Sequence, residues 1–528
     1  MGQAELLIAG ILVGVAGLSA LARLLAVPYP IVLVIGGALF GFVPGVEAVH
    51  LDPDVVLVVF LPPLLYGAAF FANLGDLRAN LRSLTMVSVG LVLVTMVVVA
   101  WAAHMLVPDM SWAAAFVLGA VVSPTDPLAG ALIMRRIGVP RRIVSGVEGE
   151  GLFNDATALV AYKVAVAAAV SGSFSLGEAS LKFVLGAVGG IAIGFAAAWV
   201  IAWIRARIQD PQVSITISLL SGYAAFIPAD EIGASGALAA VTCGLFMGFR
   251  GPSIISARVR LQGFMAWDIV DFLLNATLFV LVGLQLHSVV NEAHHAHGAG
   301  KLIGWGILIT AVVAGVRIVW FFTMPYVIRA IDRRPQQRLR RVGWRPRFVI
   351  AWAGMRGAVS LAAALAIPFT TDAGGPFPER NLIIFLTFCV IFGTLVVQGL
   401  SLPKVIHWLG VRPDETEENE ELRARLTAVK AALAQLDTLA EEEWTRDETI
   451  ERMRAMYDYR KRRFAARAGK IEDDGYEDRS LAYQQMVQIV LAAQREALVT
   501  LRNNGEISNE MANRLMQEFD LEEVRLEI

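Results

Sequence analysis

The amino-acid sequence predicts an all-α polytopic membrane protein. We expect about thirteen transmembrane helices, with inverted repeats and two crossed broken helices, followed by a cytoplasmic helical tail. Hydrophobic residues make up 56% of the 528 positions and charged residues 17%. An average soluble protein has about 25% charged residues. Apolar segments of about 18 residues or more, each long enough to cross a bilayer, recur along residues 1–410.

The apolar segments divide into thirteen predicted spans, whose boundaries are soft by several residues. They lie near residues 4–22, 28–46, 54–72, 84–106, 112–134, 147–170, 182–204, 212–229, 233–249, 269–287, 302–326, 348–370 and 381–403. The sequence therefore predicts a transmembrane domain over residues 1–410 and a separate tail over residues 411–528.

Lys and Arg residues are distributed unevenly between alternate loops. Twenty lie in one set of loops, and only Lys182, Lys301 and Arg380 lie in the other. The positive-inside rule then places the N-terminus outside and the C-terminus in the cytoplasm. We expect a multi-pass protein of the plasma (inner) membrane.

The tail differs in composition from the membrane part. Residues 1–410 carry 27 basic and 20 acidic side chains, whereas residues 411–528 carry 18 and 27. Apolar residues such as Leu422, Leu426 and Val429 recur at helical spacing in it. We expect solvated helical hairpins that pack on themselves or on a partner, and a regulatory role remains open.

Three charged residues are predicted at one depth in the membrane. Asp126, Asp155 and Arg356 each lie eight residues from the predicted cytoplasmic end of their span. At 1.5 Å of rise per residue, this depth is about 12 Å. A carboxylate within a bilayer costs at least about 3 kcal/mol, and such residues commonly mark ion or proton pathways. The sequence therefore predicts one site formed by three spans.

Two of these spans cannot be continuous helices. Pro124 and Pro127 flank Asp126, and prolines in a helix remove donors and clash with the preceding turn. Gly354 and Gly357 flank Arg356 at the corresponding place in span twelve. Broken helices at membrane depth survive where they are buried in protein or line a cavity. Because the two spans are seven apart, inverted repeats would make them correspond, and we expect them to cross.

Span six presents carboxylates on two faces. Glu148 and Asp155 share one face, which we assign to the ion path with Glu148 near its cytoplasmic entrance. Glu150 and Asn154 share another face, and we expect Glu150 to turn toward Arg356, since a buried unpaired charge is costly. The alternative is that both aspartates are ion-pair partners that fix helix packing.

Other polar residues in the spans allow two interpretations. Lys163 is expected to snorkel toward the membrane surface. Arg317 is expected to be structural, with a partner that the sequence does not identify. Asp271, Asn275 and Thr277 in span ten either line the cavity or pack as ordinary polar residues.

These residues lie in motifs that resemble those of a known family. The motifs are Phe60–Pro63, Ser123–Pro127, Gly149–Asp155, Phe279–Leu284 and Trp352–Ser360. In this order they resemble the bacterial sodium/proton antiporters of the monovalent cation/proton antiporter-1 family, which are relatives of the animal sodium/hydrogen exchangers. The resemblance covers residues 1–410.

The resemblance implies a homodimer whose protomers each have a dimerisation domain and a six-helix core. It implies that Asp155 is the shared cation and proton site, with Thr125 and Asp126 contributing from the unwound crossing. Asn154 would be the neighbour that distinguishes the electroneutral class. Glu150 and Arg356 would form a stabilising ion pair.

The chain departs from the family pattern at two positions. Related prokaryotic proteins often have an acidic residue where this chain has Gly67, and serine where it has Gly151. Fewer side-chain oxygens would then surround the cation. We expect water and backbone carbonyls to fill the gap.

The predicted function is exchange of Na⁺ (or Li⁺) for H⁺ by alternating access. K⁺/H⁺ exchange is the alternative within the class, and a cation channel or a membrane sensor lies outside it. We expect no enzyme activity, since the sequence has no Walker loop, nucleophile elbow or metalloprotease helix. The expected partners are monovalent cations, the lipid bilayer and a second copy of the chain. No cofactor and no nucleic acid are expected.

Overall fold

The structure is a computed structural model in which the described residues form helices, with one isolated β-bridge between Thr370 and Pro376. It describes residues 3–25, 27–42, 53–75, 77, 84–108, 110–172, 176–208, 210–331, 343–411, 416–472 and 474–526. The chain divides into two compact units, Met1–Pro413 and Asp414–Ile528.

The first unit contains sixteen α-helices in the residues that are described. They are α1 Gln3–Leu24, α2 Tyr29–Gly41, α3 Pro53–Phe70, α4 Val92–Leu106, α5 Trp112–Val122, α6 Pro127–Ile137, α7 Arg141–Ser171, α8 Leu176–Arg205, α9 Pro211–Glu231, α10 Gly236–Ile254, α11 Ala257–His297, α12 Ala299–Ile331, α13 Trp344–Trp352, α14 Ala358–Leu365, α15 Arg380–Gly393 and α16 Gly399–Leu409. Two π-helical turns, Met86–Leu91 and Thr394–Gln398, precede α4 and α16.

Eight helices of the described part are long and apolar enough to cross a membrane, and four shorter apolar helices accompany them. The shorter ones are α1, α2, α3 and α5. Predicted span twelve is divided into α13 and α14. The prediction of an all-α polytopic membrane fold is therefore confirmed.

The two broken spans meet where each helix is interrupted. Between α5 and α6 the chain is non-helical around Asp126, and between α13 and α14 it is non-helical around Met355. The Asp126 backbone N–H donates to the Met355 carbonyl at 2.8 Å. The Arg356 Nε donates to the Val122 carbonyl at 3.1 Å. Each break thus satisfies backbone groups of the other, which is how interrupted helices are tolerated inside a membrane protein.

The transmembrane unit has two clusters of buried hydrophobic residues. The larger cluster includes side chains of α5, α7, α14 and α15. The smaller cluster lies between α3, α8, α9, α10 and α11, and Tyr66, Met247 and Trp267 are among its members. Most predicted site residues belong to helices of the larger cluster.

The tail contains four helices among its described residues. They are α17 Thr416–Leu439, α18 Asp447–Arg467, α19 Tyr476–Asn503 and α20 Asn509–Leu526. Leu422, Leu426 and Val429 of α17 pack against Phe464 of α18, as their spacing predicted. Arg495 of α19 contacts Asp520 of α20 at 2.7 Å and Glu523 at 2.5 Å.

Candidate functional site

A chain of hydrogen bonds ties the first broken helix to α7. Asn154 Nδ2 donates to Thr125 Oγ1 at 2.5 Å. Thr125 Oγ1 donates to Glu150 Oε1 at 3.2 Å. Glu150 and Asn154 are four residues apart on one helix face, so both reach the same threonine. All three side chains are buried. The shared face predicted for Glu150 and Asn154 is therefore used to anchor the break.

The ion-pair partner of Glu150 is Arg317 of α12, and the predicted pairing of Glu150 with Arg356 is wrong. Arg317 Nη1 contacts Glu150 Oε1, and Arg317 Nη2 donates to Oε2 at 2.9 Å. Both side chains are at most 3% exposed. Arg317 also donates to the carbonyls of Ile350 and Ala351 in α13. The guanidinium contacts both oxygens of the carboxylate, and this bidentate geometry explains why it can neutralise the buried charge.

Arg356 stabilises the ends of broken helices instead. Its Nε donates to the carbonyl of Val122, the last residue of α5, and its Nη1 donates to the Gly354 carbonyl. Its backbone N–H donates to Thr394 Oγ1 at 3.1 Å. Carbonyls at a helix C-terminus lack intrahelical partners and carry partial negative charge. A buried guanidinium at this place satisfies both requirements, and it interacts with Glu150 only electrostatically, without a direct ion pair among the described residues.

Asp155 lies in different surroundings from Glu150. Its side chain is partly exposed, and it forms no hydrogen bond or ion pair with any residue that the structure describes. It interacts electrostatically with Asp126 and with Glu150. Glu150 is neutralised by Arg317, and Asp126 is the other carboxylate that interacts with Asp155. The structure thus brings the two predicted carboxylates into one electrostatic environment.

Close packing at the crossing fixes the position of Asp126. A side chain at Gly357 would overlap the Asp126 carboxylate, and one at Gly354 would overlap the Arg317 guanidinium. The backbone of the second break can therefore approach both charged groups only because these residues are glycines. Steric contact with these two charged side chains therefore explains why span twelve has glycine on both sides of its Met–Arg pair.

Asp271 of α11 is a further carboxylate near the site. Asn275 Nδ2 donates to Asp271 Oδ1 at 3.1 Å, which fixes the carboxylate one turn along the same helix. Asp271 interacts electrostatically with Asp126 and Asp268. The sequence left open whether Asp271 and Asn275 line the cavity. The structure places Asp271 close enough to Asp126 for the two carboxylates to interact electrostatically. This proximity joins residues far apart in the chain, so no local sequence pattern could have shown it.

Glu148 has a partner at the end of the site that was predicted to be the entrance. Its Oε1 contacts Arg135 Nη2 of α6 at 2.7 Å, and both side chains are substantially exposed. The pair lies between the last turn of α6 and the first part of α7.

The two glycines that depart from the family pattern face protein atoms. A side-chain carbon at Gly67 would lie 3.0 Å from the Trp267 ring, and one at Gly151 would overlap the Pro127 ring. Trp267 is held in place because its Nε1 donates to Ser218 Oγ at 3.1 Å. A larger side chain at either position would therefore have to displace these rings, and the expectation that water and backbone carbonyls complete the cation's coordination stays a prediction.

A family model described as "Sodium/hydrogen exchanger, transmembrane" matches residues 8–408. The chain belongs to this family. It is therefore a multi-pass membrane protein of a family of cation/proton exchangers, which are transporters and not enzymes.

Curated relatives and solved structures agree with the family. The chain is 39% identical over 500 residues to an uncharacterized Na⁺/H⁺ exchanger of Mycobacterium tuberculosis, covering 94% of this chain and 91% of the relative. It is 31% identical over 508 residues to the sodium, potassium, lithium and rubidium/H⁺ antiporter of Bacillus subtilis, covering 94% and 74%. Its fold is similar to that of the sodium proton antiporter MjNhaP1 from Methanocaldococcus jannaschii, with a TM-score of 0.59 and 17% identity over 77% of this exchanger and 99% of MjNhaP1.

Proposed function

We propose that the protein exchanges Na⁺ (or Li⁺) for H⁺ across the plasma membrane, and that both ions bind in turn at Asp155. The observation that carries the proposal is the contrast between Asp155 and Glu150. Each is an acidic residue of a membrane-crossing helix, but only Glu150 has a cationic partner among the described residues. A carboxylate that is left without a protein cation at this depth needs a proton or a metal cation.

The exchange is electroneutral in this proposal. Asp155 holds either one proton or one monovalent cation, so each cycle moves one charge in each direction. Asn154, the adjacent residue, is uncharged and uses its amide N–H to anchor Thr125. Asp126 supplies a second carboxylate, and Thr125 fixes the backbone that carries it.

The broken helices favour a cation site at this place. α5 and α13 both end at the crossing, where Arg356 and Arg317 satisfy carbonyls of their last turns and leave the unwound segments beside Asp126 non-helical. Such unwound crossings form the ion sites of many secondary transporters. We propose that the site-bearing helices move as a unit against the rest of the membrane domain, so that Asp155 faces each side in turn.

The remaining features of the proposal follow from the sequence and the resemblance. The N-terminus lies outside and the C-terminus in the cytoplasm, in accord with the loop arginines. The working unit is a homodimer in the plasma membrane. Neither a cofactor nor a nucleic acid takes part.

K⁺/H⁺ exchange is the second candidate. The Bacillus subtilis relative is named as an antiporter of sodium, potassium, lithium and rubidium. In addition, Trp267 and Pro127 fill the spaces beside Gly67 and Gly151, so neither position supplies an oxygen to a small dehydrated cation. Fewer protein oxygens weaken selection for the smaller ion.

Reconstitution with a cation series tests the proposal. Purified protein in liposomes with an imposed pH gradient should dissipate the gradient when Na⁺ or Li⁺ is added, and a clamped membrane potential should not change the rate. The Asp155→Asn variant should lose this response. The Glu178→Gln variant, which changes an exposed carboxylate paired with Lys182 on α8, is the matched control and should keep it.

Four outcomes would contradict parts of the proposal. A response to K⁺ larger than that to Na⁺ would favour the second candidate. Cation current without proton movement would identify a channel. The absence of any cation-dependent current or proton flux would favour a membrane sensor. Gradient dissipation by Asp155→Asn at the wild-type rate would show that Asp155 is not the exchange site.

A further inference from the structure

Lys163 of α7 forms an ion pair with Asp230 of α9. The sequence favoured a lysine that snorkels to the membrane surface, but the ammonium contacts a carboxylate from another helix. The two side chains are 46% and 41% exposed. Among the described residues, each is the only charged partner of the other. The pair therefore links two transmembrane helices through a contact that the protein does not enclose.

The pair lies on the far side of the site along α7. Lys163 is two turns beyond Asp155, or about 12 Å, and about 33 Å from the first residue of α7. Asp230 is about 29 Å from the first residue of α9. The two residues are thus at similar heights along helices that run in the same direction in the proposed topology. In that topology they lie in the outer half of the membrane.

The two helices have different main neighbours. Leu159, which precedes Lys163 along α7, is buried in the larger cluster. Ala229, next to Asp230, is buried in the smaller cluster, although Phe226 of the same helix belongs to the larger one. α7 packs mainly on α5 and α6 and also touches α3, α8 and α10, whereas α9 packs mainly on α3, α8 and α10. The ion pair therefore joins the helix that carries the proposed exchange site to a helix that carries none of the site residues.

The exposure of this pair distinguishes it from the buried pair at the site. Arg317 and Glu150 are at most 3% exposed, and separating them would leave two uncompensated charges in the protein interior. Lys163 and Asp230 can both be hydrated when they separate, and an ion pair of this exposure contributes little to stability. It can therefore open and close within a transport cycle.

We propose that Lys163 and Asp230 form a releasable latch that holds the site-bearing helices against α9 in one conformation and opens when Asp155 changes sides. This inference rests on the proposed function, since only a moving site requires the contact to open. In the proposed orientation, the latch lies toward the outer ends of α7 and α9.

Reversible cross-linking tests the latch. Lys163→Cys and Asp230→Cys are combined in a protein whose native Cys243 and Cys389 are changed to Ala, and a bifunctional methanethiosulfonate joins the pair. We expect the cross-link to lower Na⁺-dependent proton flux at least about tenfold, because it blocks a required conformational step. Dithiothreitol should restore the flux. A cross-linked protein that keeps the uncross-linked rate would overturn the proposal.

A matched control uses an ion pair that cannot be separated by helix movement. Glu178 and Lys182 lie one turn apart on α8, and their cysteine pair, cross-linked in the same way, should leave the flux within about twofold of the uncross-linked rate. Loss of flux in this control as large as in the test pair would attribute the effect to the reagent and contradict the latch.

Distance measurement separates the latch from the proposed function. Spin labels at positions 163 and 230 should show two distance populations by pulsed electron paramagnetic resonance, one short and one long. A single population in protein that exchanges Na⁺ for H⁺ would overturn the latch and leave the exchange intact. Two populations in protein that shows no cation-dependent flux would support a moving contact and reject the exchange function.

Ion-pair chemistry is tested by charge exchange. Lys163→Gln and Asp230→Asn should each change the flux by roughly twofold to fivefold, the range expected for a partly exposed pair. The exchanged variant Lys163→Asp with Asp230→Lys should return the flux toward the wild-type value. If the exchanged variant is no better than the single variants, the opposite charges are not what holds the two helices.

Discussion

Glu150 and Asp155 lie five residues apart on α7, but their surroundings differ in every respect that matters for a charge. Glu150 accepts hydrogen bonds from Thr125 and from both terminal nitrogens of Arg317, and it is buried. Asp155 is partly exposed and has no such partner among the described residues. The first carboxylate is neutralised within the protein and fixes the crossing. In the proposed function, the second carboxylate is the one that binds the transported ion.

The largest effect is expected from Glu150→Gln. The substitution removes the charge that neutralises Arg317 and leaves a buried guanidinium without a counter-ion. Breaking a buried ion pair in this way typically costs about 3–5 kcal/mol. Thermal unfolding of the purified protein in detergent should therefore begin at a much lower temperature, and expression in the membrane should fall.

The double variant Glu150→Gln with Arg317→Gln is the control for that experiment. Removing both charges avoids the unpaired guanidinium, so part of the lost stability should return. If Glu150→Gln alone unfolds at the wild-type temperature, the pair with Arg317 does not anchor the crossing.

The next largest effect is expected at Gly151. A methyl group there would overlap the Pro127 ring, so Gly151→Ala should destabilise the protein by about 1–3 kcal/mol, the usual cost of overpacking. Gly146 lies on the same helix and has no atom near its missing side chain. Gly146→Ala should therefore be neutral or slightly stabilising. Equal melting temperatures for the two variants would show that Pro127 does not pack against α7.

Asp155→Asn should have a smaller effect on stability, and in the opposite direction from Glu150→Gln. The substitution removes a carboxylate that interacts with Asp126 and has no cationic partner in the described structure. Unfolding should occur at the wild-type temperature or slightly above it, because a like-charge interaction is relieved. A large loss of stability would mean that Asp155 is a structural residue like Glu150.

The smallest effect is expected from Glu148→Gln. Its pair with Arg135 is substantially exposed, and such pairs contribute about 0–1 kcal/mol. Exchange rates and melting temperature should both stay close to those of the wild type. A large loss of exchange with unchanged stability would assign Glu148 the entrance role that the sequence analysis gave it.

Local sequence patterns predicted much of this site. Pro124 and Pro127 predicted the first break, the paired glycines around Arg356 predicted the second, and helical spacing separated the faces of Glu150 and Asp155. Each of these inferences uses residues within one helix or one turn, where chain geometry limits the outcomes.

Partner choice between distant helices could not be predicted in the same way. Two buried arginines could have been the ion-pair partner of Glu150. The sequence analysis assigned Arg356 because its predicted depth in the membrane matched. Arg317 forms the ion pair with Glu150 because α12 packs beside α13, so that the guanidinium passes next to Gly354. Similarly, no local signal showed that Trp267 fills the space beside Gly67, or that Lys163 reaches Asp230.

The central claim is that a proton and a cation take turns at Asp155, and proton release on cation binding tests it most directly. Na⁺ is added to purified protein in a weakly buffered solution, and the pH change is measured. We expect the wild type to release protons in a saturable manner and the Asp155→Asn variant to release none. Equal proton release by the two proteins would contradict the claim.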